Sequence, residues 1–198
     1  MGGLAMGEPI LQYFENLTTL FSGVQVSDSQ KRAVRFSDGL SAGMNLVVSQ
    51  TSLKRKMIFI GNGGSAALAS HLAVDYWKNG GMRAVAFNDS SLLTCISNDF
   101  GYPHVFAKPV EMFCDPGDLL VAISSSGCSE NILLAVNAAK EIGCKVITLS
   151  GFSGDNPLRL TGDLNFYVPS DSYGHVEIVH LALCHCILDA IISRQGRK

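Results

Sequence analysis

Two short apolar segments of this chain each end in a turn of small residues, and a helical pattern begins directly after each turn. The first segment, 57–60, runs into the glycine-rich turn 61–65 (GNGGS) and then into an alanine-rich stretch. The second segment, 118–123, runs into a turn of four serines around Gly127, after which apolar residues recur at helical spacing. A buried strand that passes through a tight turn into a helix is typical of a right-handed βαβ unit. The two segments therefore predict a parallel sheet covered by helices.

The alternation of strand and helix patterns continues to the end of the chain. The strand patterns are short and apolar on both faces, which indicates a sheet buried on both sides. They lie near 57–60, 83–87, 118–123, 145–149 and 164–168. We therefore predict an α/β fold, built as a three-layer, doubly wound, five-stranded parallel sheet. In such sheets ligands bind beyond the carboxyl ends of the strands, where both turns fall.

Helical patterns flank this core on both sides. Two of them lie within 8–50, the second beginning near Ser27, and the last helix is predicted from Tyr173 to about Ser193. We expect 8–198 to form a single domain with two N-terminal helices at 8–50 and the α/β core at 57–193. Residues 1–7 are expected to be a disordered or tag-like N-terminus.

Composition and charge disfavour several classes of function. The chain has 198 residues, of which 47% are hydrophobic, and its net charge is −2 from 15 basic and 17 acidic residues. Neither sign is clustered, which argues against nucleic acid and anionic membranes as partners. No continuous apolar run approaches the roughly 18 residues that span a bilayer, and no signal peptide pattern is present. The six cysteines contain no CxxC pair and are expected to be reduced, which indicates a cytoplasmic protein.

Both turns have the chemistry of an anion site. Backbone N–H groups and a helix N-terminus attract negative charge, and Ser65 is placed to cap the first helix. The glycine turn matches neither the Walker nor the GxGxxG pattern, and no nucleotide cofactor is expected. The serine turn at 124–129 contains no lysine or arginine, and neutral donors suit a sugar phosphate better than a nucleoside triphosphate. The alternative is that the glycines form a structural turn and the serines only cap a helix.

Polar side chains that could move a proton lie on two helical patterns. His71 and Asp75 are at i and i+4, so they share one face of the helix after the first turn. This spacing fits joint metal ligation or a carboxylate held by an imidazole, and also a surface or interface pair. The last helix carries Glu177 and three histidines: His175, His180 and His185. If it brings Glu177 and His185 opposite the first pair, the site could move a proton between adjacent carbons of a sugar phosphate.

These motifs together resemble a known family. Their specific segments are GNGGSAALASHLAVD at 61–75, SNDFG at 97–101, ISSSGCSENI at 123–132 and KVITLSG at 145–151, with the histidine-rich last helix. In this order they resemble the sugar isomerase (SIS) domain proteins, and among these the phosphoheptose isomerases, from about Glu8 to Ile192. The resemblance implies a flavodoxin-like SIS fold. It also implies an aldose–ketose isomerase that converts sedoheptulose 7-phosphate to a manno-heptose 7-phosphate through an enediol(ate), for lipopolysaccharide or capsule heptose synthesis.

The resemblance also implies roles for individual residues. Asp75 would be the catalytic base and His185 the acid. Many members bind zinc, and the ligands implied here are His71, Asp75, Glu177 and His185. Substrate contacts are implied for Asn62, Gly63, Gly64, Ser65, Asn98, Asp99, Ser124, Ser125, Ser126, Ser129 and Glu177, with the serines holding the phosphate. Family members form tetramers with active sites at subunit interfaces, so a homo-oligomer is expected.

Two positions depart from the family pattern. Asp75 stands where the family has glutamate, which withdraws the carboxylate by one methylene, or roughly 1.5 Å, and a shift near 1 Å can cost about a hundredfold in rate. Glu177 stands where the family has glutamine, which adds a negative charge. Two alternatives follow for the function: an isomerase of a different sugar phosphate, or a non-catalytic sugar-phosphate-binding adaptor.

Overall fold

A computed structural model describes residues 7–196, and these residues form seven α-helices and seven strands. In chain order they are α1 (Gly7–Gly23), β1 (Gln25–Asp28), β2 (Ala33–Val34), α2 (Phe36–Ser52), β3 (Lys56–Gly61), α3 (Gly64–Lys78), β4 (Arg83–Ala86), α4 (Ser90–Phe100), α5 (Ala107–Phe113), β5 (Leu119–Ser124), α6 (Glu130–Ile142), β6 (Lys145–Ser150), β7 (Leu164–Tyr167) and α7 (Tyr173–Arg194). Short 3₁₀ helices lie at Tyr102–His104 and Pro157–Leu160. The N-terminus predicted to be disordered or tag-like, 1–7, falls outside the described residues except for Gly7, which begins α1.

The strands form one mixed sheet in the order β2-β1-β7-β6-β5-β3-β4. From β7 to β4 every neighbouring pair is parallel, which confirms the predicted five-stranded parallel core. The chain passes from β3 outward to β4 and then returns to the other side of β3 as β5. The switch point of the sheet therefore lies between β3 and β5, where a crevice opens at the carboxyl ends of the strands.

Side chains of the central strands alternate between two apolar cores, one on each face of the sheet. Met57 and Phe59 point to the face covered by α2, α3 and α7, whereas Ile58 and Ile60 point to the face covered by α4, α5 and α6. All six residues of β5 are buried. This two-sided burial explains why the strands are apolar throughout, and it fixes the ends of β3 and β5 that carry the two turns.

The prediction that the second helix begins near Ser27 is wrong. Residues 25–34 form a hairpin whose first strand pairs antiparallel with β7, Val26 lying opposite Phe166, and α2 begins only at Phe36. The turn is stabilised by Asp28, whose carboxylate accepts hydrogen bonds from the backbone N–H groups of residues 30 and 32. Such local bonds compete with helix formation. Burial of Val26 in the core then favours the strand.

Helix α7 is long and apolar enough to cross a membrane by length and composition alone, with 22 residues and a mean hydropathy of 1.8. In this fold the helix packs against α1, α2 and α3. Its buried side chains, among them Val176, Leu183 and Ile191, belong to the core on one face of the sheet. Burial inside the fold accounts for part of the apolar composition, since 44% of the apolar window is buried, and the helix is weak evidence for a membrane span.

Candidate active site

A cavity of about 320 Å³ opens at the switch point between β3 and β5. It is lined by Asn62, Gly63, Gly64, Ser65, Ser124, Ser125, Ser126, Ser129, Tyr173 and Glu177. All of these except Tyr173 are among the residues that the sequence predicted for substrate binding. Tyr173 begins α7 four residues before Glu177, and this i, i+4 spacing is the signal that could have identified it.

The glycine turn after β3 has a backbone that only glycine adopts easily. Gly63 has φ +54° and ψ −122°, and it is the residue that precedes the first helical residue of α3. Ser65 therefore lies inside the first turn of α3, where it is buried, and the expectation that it caps the helix is wrong. Among the described residues, no side chain caps the start of α3. The Ala66 N–H bonds to the Gly63 carbonyl, which leaves the N–H groups of Gly64 and Ser65, two residues of the cavity lining, for a ligand.

The serine turn after β5 combines hydroxyls with the start of α6. Ser124 Oγ accepts a hydrogen bond from the Gly127 N–H at 3.2 Å, and Ser126 Oγ accepts one from the Cys128 N–H at 3.3 Å. Ser129 precedes α6 and makes no side-chain capping bond. The Ser125 hydroxyl is buried and has no hydrogen-bonding partner among the described residues.

Because none of the ten lining residues is lysine or arginine, an anion in this cavity would be held by hydroxyls, N–H groups and the positive end of a helix. The unpartnered Ser125 hydroxyl is costly to bury alone, and a ligand oxygen would satisfy it. The serine turn can thus bind a phosphate group without a cation.

Glu177 is the single carboxylate on the cavity wall. It lies against Gly64 at the start of α3, so closely that a Cβ at position 64 would overlap its carboxylate. Within the described part of the chain, this carboxylate has no hydrogen bond or ion pair. It is therefore free to accept hydrogen bonds from a ligand's hydroxyl groups.

A second polar group lies where α3 and α7 cross. Asp75 Oδ2 is 3.3 Å from His71 Nε2 and 3.8 Å from His185 Nδ1, and the two imidazole rings are 5.4 Å apart in an edge-to-face arrangement. One ligand atom from each of the three residues lies within 4.8 Å of the others. Two imidazole nitrogens and a carboxylate oxygen form a donor set that suits zinc.

The structure does not bring all four predicted metal ligands together. Glu177 is not part of the group formed by His71, Asp75 and His185 in the described residues. It lies eight residues before His185 on α7, which is about 12 Å along a helix axis at 1.5 Å per residue. The imidazole–carboxylate group and the phosphate cavity are thus separated by about two helical turns within one chain.

Asn98 and Asp99 also lie outside the phosphate cavity. Asn98 lines a neighbouring cavity of about 390 Å³ together with Tyr102, and its amide donates to Asp99 Oδ1 at 2.9 Å. The Tyr102 hydroxyl donates to Asn62 Oδ1 at 3.0 Å, so this tyrosine stands between the two cavities.

The other two histidines of α7 are packing residues. His180 is fully buried, and its Nε2 lies 3.1 Å from the carbonyl oxygen of Ser150. Burial lowers the pKa of His180 to about 4, so the ring is neutral at pH 7. His175 lies against the Tyr13 ring and the Tyr13 carbonyl. Of the three histidines on this helix, His185 alone joins the polar group at Asp75.

Comparison with known proteins agrees with this geometry. The SIS domain family matches residues 12–151. The phosphoheptose isomerase of Thiobacillus denitrificans is 39% identical over 162 residues, which cover 78% of this chain and 82% of that protein. The structures of phosphoheptose isomerases from Neisseria gonorrhoeae and Francisella tularensis superpose with TM-scores of 0.81 and 0.83, at 32% and 28% identity, each covering 96% of this chain and all of the other. The resemblance inferred from the motifs is confirmed, and the chain belongs to the SIS domain family, in its phosphoheptose isomerase group.

Proposed function

We propose that this chain is an aldose–ketose isomerase that converts sedoheptulose 7-phosphate to a manno-heptose 7-phosphate through an enediol(ate), for lipopolysaccharide or capsule heptose synthesis. The observation that carries the proposal is the cavity at the switch point, which has no lysine or arginine in its lining and in which the buried Ser125 hydroxyl lacks a partner among the described residues. Its relatives named phosphoheptose isomerase support the choice of sugar. We take 8–198 as one SIS domain that contains this site.

In this proposal the serine turn holds the phosphate group. The hydroxyls of Ser124, Ser125, Ser126 and Ser129 donate to its oxygens, and the start of α6 adds the positive end of a helix dipole. The glycine turn, from Asn62 to Ser65, and the carboxylate of Glu177 face the sugar, and Asn98 and Asp99 contact its far end. A phosphate fixed at one end orients the sugar, which is how remote binding energy serves proton transfer.

Isomerisation then needs one group that removes a proton from carbon and another that handles the proton on oxygen. Asp75 removes a proton from C1 of the ketose while His185 donates a proton to the carbonyl oxygen on C2, which gives the enediol. Return of the proton to C2 and loss of the proton on O1 give the aldose. The proximity of His71 and His185 to Asp75 supports this assignment, because both rings can orient the carboxylate.

The residues present fit a zinc ion at the same position. His71, Asp75 and His185 would hold it, with Glu177 outside the group in one chain. When bound, zinc supplies Lewis-acid stabilisation of a negatively charged oxygen.

We further propose a homo-oligomer, as a tetramer, with active sites at subunit interfaces. The separation of about two helical turns between the phosphate cavity and the Asp75 group leaves room for a neighbouring copy to contribute to the site. The exposed apolar side chains of Ile10, Leu11 and Phe14 on α1 offer a surface for such contacts. The cysteines of the chain are free, which supports a reducing, cytoplasmic location.

The experiment that tests the function is incubation of the purified protein with sedoheptulose 7-phosphate in D₂O, followed by proton NMR with and without added zinc. A new anomeric signal from the aldose, with deuterium entering at C2, is the expected result. Absence of both product and exchange, in a sample that the sugar phosphate still stabilises thermally, would contradict the proposed reaction.

A further inference from the structure

The two turns of the phosphate cavity are joined by a pair of asparagines that face each other. Asn131 Nδ2 donates to Asn62 Oδ1, and Asn62 Nδ2 donates to Asn131 Oδ1, each at 2.9 Å. Asn62 belongs to the glycine turn after β3, and Asn131 lies in the first turn of α6, directly after the serine turn. The amide pair therefore connects the two halves of the site across the switch point.

A third residue completes the group. The Tyr102 hydroxyl donates to the same Asn62 Oδ1 at 3.0 Å, so both lone pairs of this oxygen are used by protein donors. The Asn62 side-chain carbonyl cannot then accept a hydrogen bond from a sugar hydroxyl. Asn62 can contact a ligand only through its backbone or its remaining amide N–H.

The burial of Asn131 is unusual for its position. Asparagine side chains are mostly exposed in proteins, yet this one, in the first turn of α6, is only 3% exposed. A buried polar amide is costly unless it is hydrogen-bonded, and pairing with Asn62 supplies the hydrogen bonds. Its hydrogen bonds reach no residue other than Asn62 among those described.

We propose that Asn131 and Tyr102 are positioning residues for sugar-phosphate binding. They fix the Asn62 amide and thereby hold the glycine turn, which faces the sugar, in register with the serine turn, which holds the phosphate. The inference rests on the proposed function of this cavity. It separates two properties of the site: phosphate capture needs the serine turn alone, whereas binding of the whole sugar phosphate needs both turns in register.

The test compares the protein that has both wild-type residues with the variants Asn131→Ala and Tyr102→Phe. Both substitutions leave the charge of the site unchanged. Dissociation constants for sedoheptulose 7-phosphate and for inorganic phosphate are measured by calorimetry in an Asp75→Asn background that prevents turnover. Loss of the amide pair should weaken sugar-phosphate binding about tenfold, and loss of the tyrosine hydroxyl about threefold. Binding of inorganic phosphate should change less than about twofold, because the serine turn remains intact.

A double-mutant cycle shows whether the pair acts as a unit. The cycle compares Asn62→Ala, Asn131→Ala and the double variant. The double variant should weaken sugar-phosphate binding by less than the sum of the two single losses, whereas independent residues would give additive losses. Asn165→Ala is the matched control, since Asn165 is a buried asparagine that bonds to Thr148 away from the cavity. This control should lower the melting temperature without changing either dissociation constant.

Three results would overturn the inference: unchanged sugar-phosphate binding in both variants, equal losses for sugar phosphate and inorganic phosphate, or additive losses in the cycle. If Asn131→Ala fails to fold, Tyr102→Phe still tests the positioning role. The Tyr102 ring is largely exposed and this variant removes only one hydroxyl, so the protein should still fold. Absence of turnover in the enzyme with Asp75 would instead count against the proposed function, and the binding ratios would still test the positioning role.

Discussion

The carboxylate of Asp75 lies between two imidazoles, 3.3 Å from His71 Nε2 and 3.8 Å from His185 Nδ1. It also accepts a weak hydrogen bond from the Asn79 amide at 3.4 Å. This side chain is shorter than the glutamate that the family pattern has, yet it is oriented from several sides. A short base can still work where its neighbours fix its direction, because catalysis depends on the position of the reacting oxygen more than on side-chain length.

Replacement of Asp75 with asparagine keeps the size of the side chain but removes its ability to take a proton. We expect kcat to fall about a thousandfold, while the dissociation constant for inorganic phosphate stays within about twofold, since the serine turn is untouched. Steady-state kinetics and calorimetry measure the two quantities. Asp75→Glu is the matched control, because it retains a carboxylate and should keep far more activity. Wild-type turnover in Asp75→Asn would remove Asp75 from the proton-transfer step.

The burial of His180 leads to a prediction about how the stability of the chain depends on pH. Its pKa is lowered from 6.5 to about 4 in the folded chain because the ring is fully buried. Between pH 4 and pH 6.5 the unfolded chain binds a proton that the folded chain does not. The contribution of His180 to the free energy of unfolding is therefore complete above pH 6.5 and is lost as the pH falls towards 4. At pH 5 the loss from this one group is about 2 kcal/mol.

Chemical unfolding at pH 7 and pH 5 measures this effect. His180→Gln is the control, because glutamine does not titrate and its amide can still donate to the Ser150 carbonyl. The variant should lose less stability than the wild type between the two pH values. An equal loss in both proteins would show that other groups cause the pH dependence.

At the scale of elements, the sequence predicted the parts whose pattern is local. The strand, turn and helix from β3 to α3 and from β5 to α6 could be predicted because apolar runs and small-residue turns mark them directly. The hairpin at 25–34 could not, because it depends on pairing with β7, which lies far away in the sequence. Likewise the sequence named Asn62 for the site but not Asn131, since nothing local shows that their amides meet.

The role of Glu177 as a metal ligand stays a prediction. Eight residues separate Glu177 from His185 on a helix that the sequence identified, and this spacing places them about two turns apart. In the described residues Glu177 lies outside the group formed by His71, Asp75 and His185. The resemblance to zinc-binding relatives grouped the two residues, whereas helix geometry separates them within a chain.

The contact between α2 and β1 leads to a prediction about the stability of the chain. Gly39 lies in α2, and a Cβ there would be 2.6 Å from Val26 Cγ1. Alanine is better than glycine in a helix by about 1 kcal/mol, but Val26 is buried in a strand and cannot move aside. We therefore expect Gly39→Ala to lower the free energy of unfolding by about 1–3 kcal/mol, as overpacking does.

Urea unfolding measures this change. The double variant Val26→Ala/Gly39→Ala is the control, because the smaller side chain at 26 makes room for the new methyl group. It should be more stable than the sum of the two single variants predicts. A Gly39→Ala protein that is more stable than the wild type would show that the hairpin moves aside at little cost. Helix propensity would then determine the change in stability.

At the scale of the whole molecule, the position of the phosphate cavity relative to the Asp75 group determines how a substrate can use both. Both lie along the same pair of helices, α3 and α7, but at positions about two turns apart. A sugar phosphate held by the serine turn of one chain must reach a base. In a symmetric assembly, the Asp75 group of one copy can face the cavity of another.

Mixing two inactive variants distinguishes a shared site from an intrachain site. Asp75→Asn removes the base but leaves the cavity intact, whereas Ser126→Asp places a negative charge in the serine turn and should repel phosphate. Each variant alone should be inactive. When the two are co-expressed in equal amounts and assemble at random, about a quarter of shared sites would combine an intact cavity with an intact Asp75.

Recovery of about a quarter of wild-type activity in the mixed sample therefore indicates a site made by two chains, because an intrachain site recovers nothing whatever the assembly. The mass of the mixed particle, measured by light scattering, should be four times the chain mass of 21.2 kDa for a tetramer. Activity that stays at the level of the separate variants, in a particle of that mass, would show that one chain brings its own Asp75 to its own cavity. That result would mean that the sugar phosphate itself spans the distance between the serine turn and Asp75.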